Sequence, residues 1–327
     1  MIKKHREKSN RMLIHESGLR RLSPTHPQYQ FIEQEYGKMK YGYKGVEALD
    51  YYLTFLPHEN YHILHGLRIE DSKGRYFQMD TLLITSTHCL IIDSKYVSGK
   101  LEFDEVGCQL IRHKSDGDIE RMADPLTQVS RHRYQLSLWL EHHGFPSLPI
   151  ANLVALTHNK SHLVKTSPSL MKKVTFLTNL PNRVNEINAL HKTEVLNKKE
   201  LNKLTKTLIK KHTPDSFKFL QTYNIKQEEL IKGVMCMNCG SNTVKKKRKY
   251  WTCKRCNTQS LSAHLYAIED YKFLIAITIQ NKDLRDFLLL SSASEAYNIL
   301  VSLDLPSVGH KKGRIYSLEH FKTSFSP

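Results

Sequence analysis

Two apolar stretches, Phe77–Ile84 (FQMDTLLI) and Cys89–Val97 (CLIIDSKYV), limit what this chain can fold into more than any other part of it. Both are short and bounded by polar residues. Thr85-Ser86-Thr87-His88 between them reads as a turn, so the pair predicts a β-hairpin. A turn centred between Ser86 and Thr87 sets Asp80 opposite Asp93. Directly opposed residues point to one face with Cα atoms roughly 4.5–5.5 Å apart. Lys95, two residues on, shares that face. Two carboxylates and an ammonium on an apolar sheet are costly unless they are paired or bind a metal. The pattern therefore predicts a divalent cation, Mg²⁺ or Mn²⁺, held by Asp80 and Asp93 with Lys95 beside it. Phosphodiester hydrolysis uses such a set, because a hard cation neutralises developing charge and lowers the pKa of an attacking water. The plain alternative is a turn-capping Asp80 and a solvated Asp93–Lys95 pair on an edge strand.

The surrounding motifs favour the metal site. Tyr41–Leu53 (YGYKGVEALDYYL), Gln78-Met79-Asp80, Asp93-Ser94-Lys95 and Asp124-Pro125-Leu126-Thr127-Gln128 follow in order. Together they resemble the nuclease-related domain (NERD) family, a branch of the PD-(D/E)xK nucleases, from about Lys38 to Leu180. The resemblance implies an α/β fold with a restriction-endonuclease-like αβββαβ core and Mg²⁺-dependent cleavage of nucleic acid. Carried over by position, it makes Asp80 and Asp93 metal ligands, Lys95 the catalytic lysine and Gln128 an auxiliary site residue. Two departures stand out. Asp93 occupies a position where the family usually has Glu. The family's first helix carries Gly-x-x-Gly-Glu, whereas Gly42-Tyr43-Lys44-Gly45 is followed here by Val46 and then Glu47. A one-residue slip on a helix turns a side chain by about 100°. Glu47 is retained as a candidate site residue. The slip also motivates the alternative reading, a non-catalytic DNA-binding protein with a decayed nuclease centre.

Gln128 has a local logic of its own. Asp124 suits an N-cap and Pro125 a first helical position, with Val129, Leu136, Trp139 and Leu140 continuing an apolar stripe. Gly144 and Pro146 end that helix. Gln128 thus falls in the first turn, where free N–H groups could receive a phosphate.

The 49 Lys+Arg against 32 Asp+Glu give a net charge of +17, a field suited to a polyanion such as DNA. No apolar run approaches the roughly 18–20 residues of a membrane span. Met1–Arg21 is basic without an apolar signal core, so a cytoplasmic location is expected. Within it, Arg11–Leu22 reads as a short helix.

The six cysteines divide unevenly. Cys89 and Cys108 stand alone near predicted strands and read as small buried hydrophobes. Cys236-Met237-Asn238-Cys239 and Cys253-Lys254-Arg255-Cys256 are paired C-x₂-C knuckles 13 residues apart, the ligand pattern of a structural Zn²⁺ in a zinc ribbon. Four cysteines leave no open coordination position for catalysis. Between the knuckles run Lys245, Lys246, Lys247, Arg248 and Lys249, then Tyr250-Trp251, a basic hairpin tip suited to phosphates.

Further on, Lys173–Leu180 is expected to complete the nuclease sheet. Pro181–Lys211 reads as helical, with a stripe of Leu196, Leu201, Leu204 and Leu208, and Pro214–Leu230 as a further helix. Tyr271–Ile279 reads as an apolar helix, Asn281 as the cap of Lys282–Leu290, and Ser291 or Ser292 as the start of a helix to Leu303. A basic strand-turn-strand follows, with Lys311, Lys312 and Arg314. These elements resemble a winged helix-turn-helix domain whose wing contacts DNA. The would-be recognition helix carries no lysine or arginine, which leaves a docking surface for a second copy or another protein as the competing role. The histidines, His132 and His142-His143 among them, read as surface or interface residues rather than metal ligands. The expected organisation is an N-terminal helical arm (1–37), the nuclease-like domain (38–180), a helical connector (181–232), the zinc ribbon (233–259) and the winged-helix-like tail (260–327). The function expected is a metal-dependent endonuclease in DNA processing or defence against foreign DNA.

Overall fold

The computed structural model describes residues 2–114 and 116–323, with the side chains of His58 and Lys312 outside that description. The chain forms two compact units. The first takes the chain up to Ser9 and from Lys38 to Asp215, and the second takes Asn10 to Gly37 and everything from Ser216. Helix α1 (Asn10–Arg21) belongs to the second unit, while α2 (Tyr29–Leu53) contributes to both. Residues 10–37 therefore fold with the C-terminal part of the chain, where a separate arm was expected.

The first unit is built on a six-stranded mixed sheet. It comprises β1 (Ile2–Lys4), β2 (His62–Glu70), β3 (Tyr76–Ile84), β4 (Cys89–Lys95), β8 (Ile150–Leu156) and β10 (Val174–Phe176), in that spatial order. Strand β4 is central because it is apolar on both faces, as a doubly covered strand must be. Leu90 and Ile92 pack under α2 with Leu49 and Leu53. Cys89 and Ile91 pack on the opposite side with Leu136, Trp139 and Leu140 of α3 (Pro125–His142). The β3–β4 register runs from Ile84↔Cys89 to Thr81↔Ile92, the register expected from the turn. The order α2-β2-β3-β4-α3-β8 has the pattern of an αβββαβ core.

A second sheet, absent from the sequence-based expectations, interrupts that order between β4 and α3. It joins β5 (Gly99–Asp104), β6 (Gln109–His113) and β7 (Ile119–Ala123) to β9 (Ser161–Leu163). Its hairpin turn carries Cys108, which is exposed at φ +50°, so this cysteine is not the buried hydrophobe expected. His132 is buried on α3 against Phe77 of β3, so of the two places expected for it the surface one is excluded. Beyond β9 come α4 (Pro168–Met171), α5 (Leu180–Leu190) and α6 (Lys198–Lys210). The expected leucine stripe covers the sheet, with Leu196, Leu204 and Leu208 buried and Leu201 packed beside them.

In the second unit the expected helix over Pro214–Leu230 shrinks to α7 (Phe219–Thr222) and a 3₁₀ turn at Gln227–Glu229. The four-cysteine segment forms a three-stranded antiparallel sheet of β11 (Val244–Lys247), β12 (Tyr250–Cys253) and β13 (Gln259–Ser260). Then come α8 (Ala263–Leu274), β14 (Thr278–Gln280), α9 (Asn281–Leu288), α10 (Ala293–Ser302), β15 (Ser307–Val308) and β16 (Ile315–Ser317). Tyr271–Ile279 is thus the end of a helix followed by a strand, not one helix. Gln280 rather than Asn281 caps α9, whose Asp283 carboxylate accepts from the Gln280 N–H at 2.9 Å. Ser292 caps α10 as expected. One core holds Val244, Trp251 and Cys253 of the small sheet together with Ile268, Leu284, Phe287, Leu300 and Leu318. Among the described residues no helix is long and apolar enough to cross a membrane.

Candidate functional site

The ladder between β3 and β4 stops at Thr81↔Ile92, whereas β4 stays paired with β8 as far as Lys95↔Leu156. Past Ile92 the two hairpin strands part, and the Ser94 N–H donates to Asp80 Oδ2 at 3.0 Å in place of a ladder bond. The parting has a cause in the backbone. Leu64 and Leu67 on β2, and Met79 and Leu82 on β3, lie in one apolar cluster although the members of each pair are three positions apart. Strict alternation would put them on opposite faces. The break falls at Gly66 and Asp80, for which no register pair exists between His65↔Thr81 and Leu67↔Met79. Gly66 sits at φ +56°, a conformation that glycine adopts without a steric penalty. Such irregularities recur beside active sites because they re-aim a side chain.

At this fork Asp93 is 3 % exposed. Its Oδ2 lies 2.8 Å from Lys95 Nζ, and its Oδ1 accepts from Gln128 Nε2 at 3.2 Å. Lys95 Nζ in turn donates to Gln128 Oε1 at 3.0 Å. Gln128 reaches this place because Asp124 starts α3 as expected, its carboxylate accepting from the Leu126 and Thr127 N–H groups. Burial, then the charge of Asp80, lift the Asp93 carboxyl to about 6, while Lys95 pulls it down. Asp93 Oδ2 is buried, and the Lys95 ammonium at 2.8 Å is its charge partner. A buried carboxylate raised by a second carboxylate and offset by only one ammonium suits a bound cation.

The structure brings Asp80, Asp93, Lys95 and Gln128 together, while Glu47 has its interaction with Tyr43. Glu47 is exposed on α2 beside Tyr43. Among the described residues, its carboxylate and those of the two aspartates do not all lie within 4.8 Å of one another. Sequence reading missed a second layer behind Asp80. Arg6 makes a two-pronged contact with Asp50, its Nε at 2.8 Å from Oδ2 and its Nη2 at 2.7 Å from Oδ1. It also donates to the Asp80 carbonyl at 3.2 Å and to Thr81 Oγ1 at 3.0 Å. The guanidinium so fixes the backbone at the fork. Burial, then Arg6, hold the neighbouring His65 neutral, at about 4.

The four cysteines converge. All four sulfurs lie within 4.8 Å of one another, with Cys236–Cys256 at 3.5 Å and Cys239–Cys253 at 3.6 Å. Thiolates about 2.3 Å from a shared tetrahedral ion would stand ~3.8 Å apart, so the set fits Zn²⁺. The two knuckles share one geometry. Gly240 and Asn257, each just past a second cysteine, have φ +67° and +57°. Their N–H groups donate to the carbonyls of Cys236 and Cys253 at 2.9 and 3.0 Å. Hydrogen bonds from Thr258 lower the Cys256 thiol to about 6, toward the ligating thiolate form.

Of the basic hairpin, Lys245, Lys247, Arg248 and Lys249 are exposed. Lys246 instead pairs with Glu295 of α10 at 3.3 Å. A hollow of about 220 Å³ lies between hairpin and helix, lined by Lys246, Arg248, Lys249, Trp251, Asn298 and Ser302. In the basic loop before β16, Lys311 is exposed and Arg314 half-buried, while the side chain of Lys312 lies outside the described residues.

Residues 41–157 match the family model of the nuclease-related domain. No curated protein and no solved structure matches the chain.

Proposed function

We propose that the nuclease-related domain at residues 41–157 is a metal-dependent endonuclease that hydrolyses DNA phosphodiester bonds, in DNA processing or defence against foreign DNA. The observation that carries this reading is the fork between β3 and β4, where Asp80, the buried Asp93, Lys95 and Gln128 meet. Asp80 and Asp93 would hold Mg²⁺ or Mn²⁺. Bound there, the ion supplies neutralisation of the phosphate oxygens and a water of lowered pKa. Lys95 brings a cation to the same point for the charge that develops in the transition state. Gln128 donates to Asp93 and accepts from Lys95, so it keeps both oriented in a site with few alternative partners.

The rest of the chain supports DNA capture. The C-x₂-C cluster reads as a structural Zn²⁺ site, with Cys236, Cys239, Cys253 and Cys256 as ligands. The helix–strand–helix–helix–strand–strand order from α8 to β16 supports a winged-helix-like module with the Lys311–Arg314 loop as its wing. Lys245, Lys247, Arg248 and Lys249 offer phosphate contacts at the ribbon tip, and Lys246, tied to Glu295, is their anchor.

The Val46-Glu47 order and the exposure of Glu47 motivate a second reading, a DNA-binding protein with a decayed nuclease centre. Plasmid nicking separates the two. Wild-type protein with Mg²⁺ or Mn²⁺ should nick, and Asp80→Ala, Asp93→Ala and Lys95→Ala should each lose activity by at least about 100-fold while still binding DNA. Nicking that survives Asp93→Ala overturns the site. Its absence from the wild type leaves the binding reading.

A further inference from the structure

Beside the fork stands a ladder of aromatic rings that the proposed chemistry does not use. Tyr96 follows Lys95 directly and His158 follows Thr157, so both stand at the carboxyl ends of the neighbouring parallel strands β4 and β8. The Tyr96 and His158 rings are 4.6 Å apart. Tyr41 of α2 lies over Tyr96 with ring planes within 15° and centroids 6.4 Å apart. The outer ring is 60 % exposed. Lys44 Nζ stands 5.8 Å from the centre of the same ring.

The helix is held close enough for this stack by Gly45. A Cβ there would meet Thr157 Oγ1 and Tyr96 Cβ, each at 2.7 Å, so only glycine lets α2 approach the strand ends without a shift. Tyr41 lies one turn earlier on that same helix face, and the contact at Gly45 sets its ring over Tyr96. An exposed aromatic backed by two further rings is a costly surface to leave in water without a use. It is stiff, π-faced and flanked by a cation, and its middle ring, Tyr96, follows Lys95 at the strand end, on the α2 face of the sheet.

We infer that this ladder is a stacking platform for an unpaired base, and that the nucleic acid taken at the fork is single-stranded or locally unpaired beside the scissile bond. The inference rests on the nuclease reading for its catalytic meaning, but the platform itself is a binding site. A base inside a duplex has both faces covered by its neighbours. Only an unpaired or splayed base can offer a face to Tyr41. Every base has such a face, so the platform tolerates any sequence, and Lys44 is placed for an adjoining phosphate.

The test is equilibrium binding of the full chain, without added divalent ion, to a short fluorescent single strand and to the blunt duplex of the same sequence. Tyr41→Ala should weaken single-strand binding about 5- to 100-fold, the usual loss of one stacked base. It should leave duplex binding unchanged and Tyr41→Phe close to wild type. The salt dependence of single-strand binding should keep its slope, because stacking releases no counterions. Equal loss for both nucleic acids, no loss for either, or a flattened salt slope overturns the platform. Binding is read without turnover, so a failure here leaves the nicking result untouched, and loss of the nuclease reading leaves this result standing.

Discussion

An ionised Asp93 destabilises the metal-free fold, because burial and the charge of Asp80 lift its carboxyl to about 6 from an ordinary 3.8. The folded state then holds the proton more tightly than the unfolded chain between those two values. Stability contributed by this group is therefore present at low pH and is lost as pH rises through that window. Asp93→Asn keeps the neutral form at all pH values. In thermal melts without added divalent ion it should stabilise the protein by about 1–3 kcal/mol near pH 7 and by almost nothing near pH 4. Equal melting at both pH values would mean that Asp93 titrates as an ordinary surface carboxylate. At this scale the hairpin residues were legible, because alternation and turn position are local and place Asp80, Asp93 and Lys95 from one short stretch of sequence. Gln128 was legible through its cap. Arg6 was not, since it reaches the Asp80 carbonyl across 74 residues of chain and no short-range pattern reports such a contact.

Among the elements, α2 decides how the site is approached, and its glycines make opposite predictions. Gly42 has nothing within 4 Å of an added Cβ, whereas Gly45 would drive a Cβ into Thr157 and Tyr96 at 2.7 Å. Alanine ordinarily favours a helix over glycine, so Gly42→Ala should raise stability by about 0.5–1 kcal/mol in denaturant titrations. Gly45→Ala should lower it by about 1–3 kcal/mol through overpacking. Stabilisation by both would show that α2 does not press on the strand ends. The family resemblance implied the order of elements in the αβββαβ core, and caps and apolar runs made its second helix and its hairpin legible. The β5–β7 excursion was not, because KLEFD, QLIRH and IERMA are short and half-polar and carry no sustained run. The α8–β14 boundary failed for the opposite reason, an unbroken apolar stretch that periodicity alone cannot divide between helix and strand.

In the molecule as a whole, the cysteine spacing identified a four-ligand cluster but not what would be packed on it. The structure sets Cys236, Val244, Trp251 and Cys253 in one core with Ala263, Ile268, Phe287, Leu300 and Leu318, so the small sheet and the three C-terminal helices share their apolar interior. Helix α1 joins the same unit through Asp270 of α8, which is 2 % exposed and pairs with Arg20 at 2.6 Å and Arg21 at 2.7 Å. A ribbon that folded alone would lose only itself when its metal is removed. A ribbon that supplies part of a common core takes its neighbours with it. Structural zinc in small modules contributes about 10–16 kcal/mol of apparent binding free energy, as much as an ordinary domain's whole stability. Chelating the metal, or Cys253→Ser, should therefore abolish amide-exchange protection through α8, α9 and α10 as well as β11 and β12. Amides of β3 and β4, which belong to the other unit with its own core, should keep theirs. Exchange mapped along the full chain with and without chelator reads both regions in one experiment. Protection that persists in α8–α10 after the metal has gone would show that the helices stand without the ribbon, and that the shared core is a contact rather than a dependence.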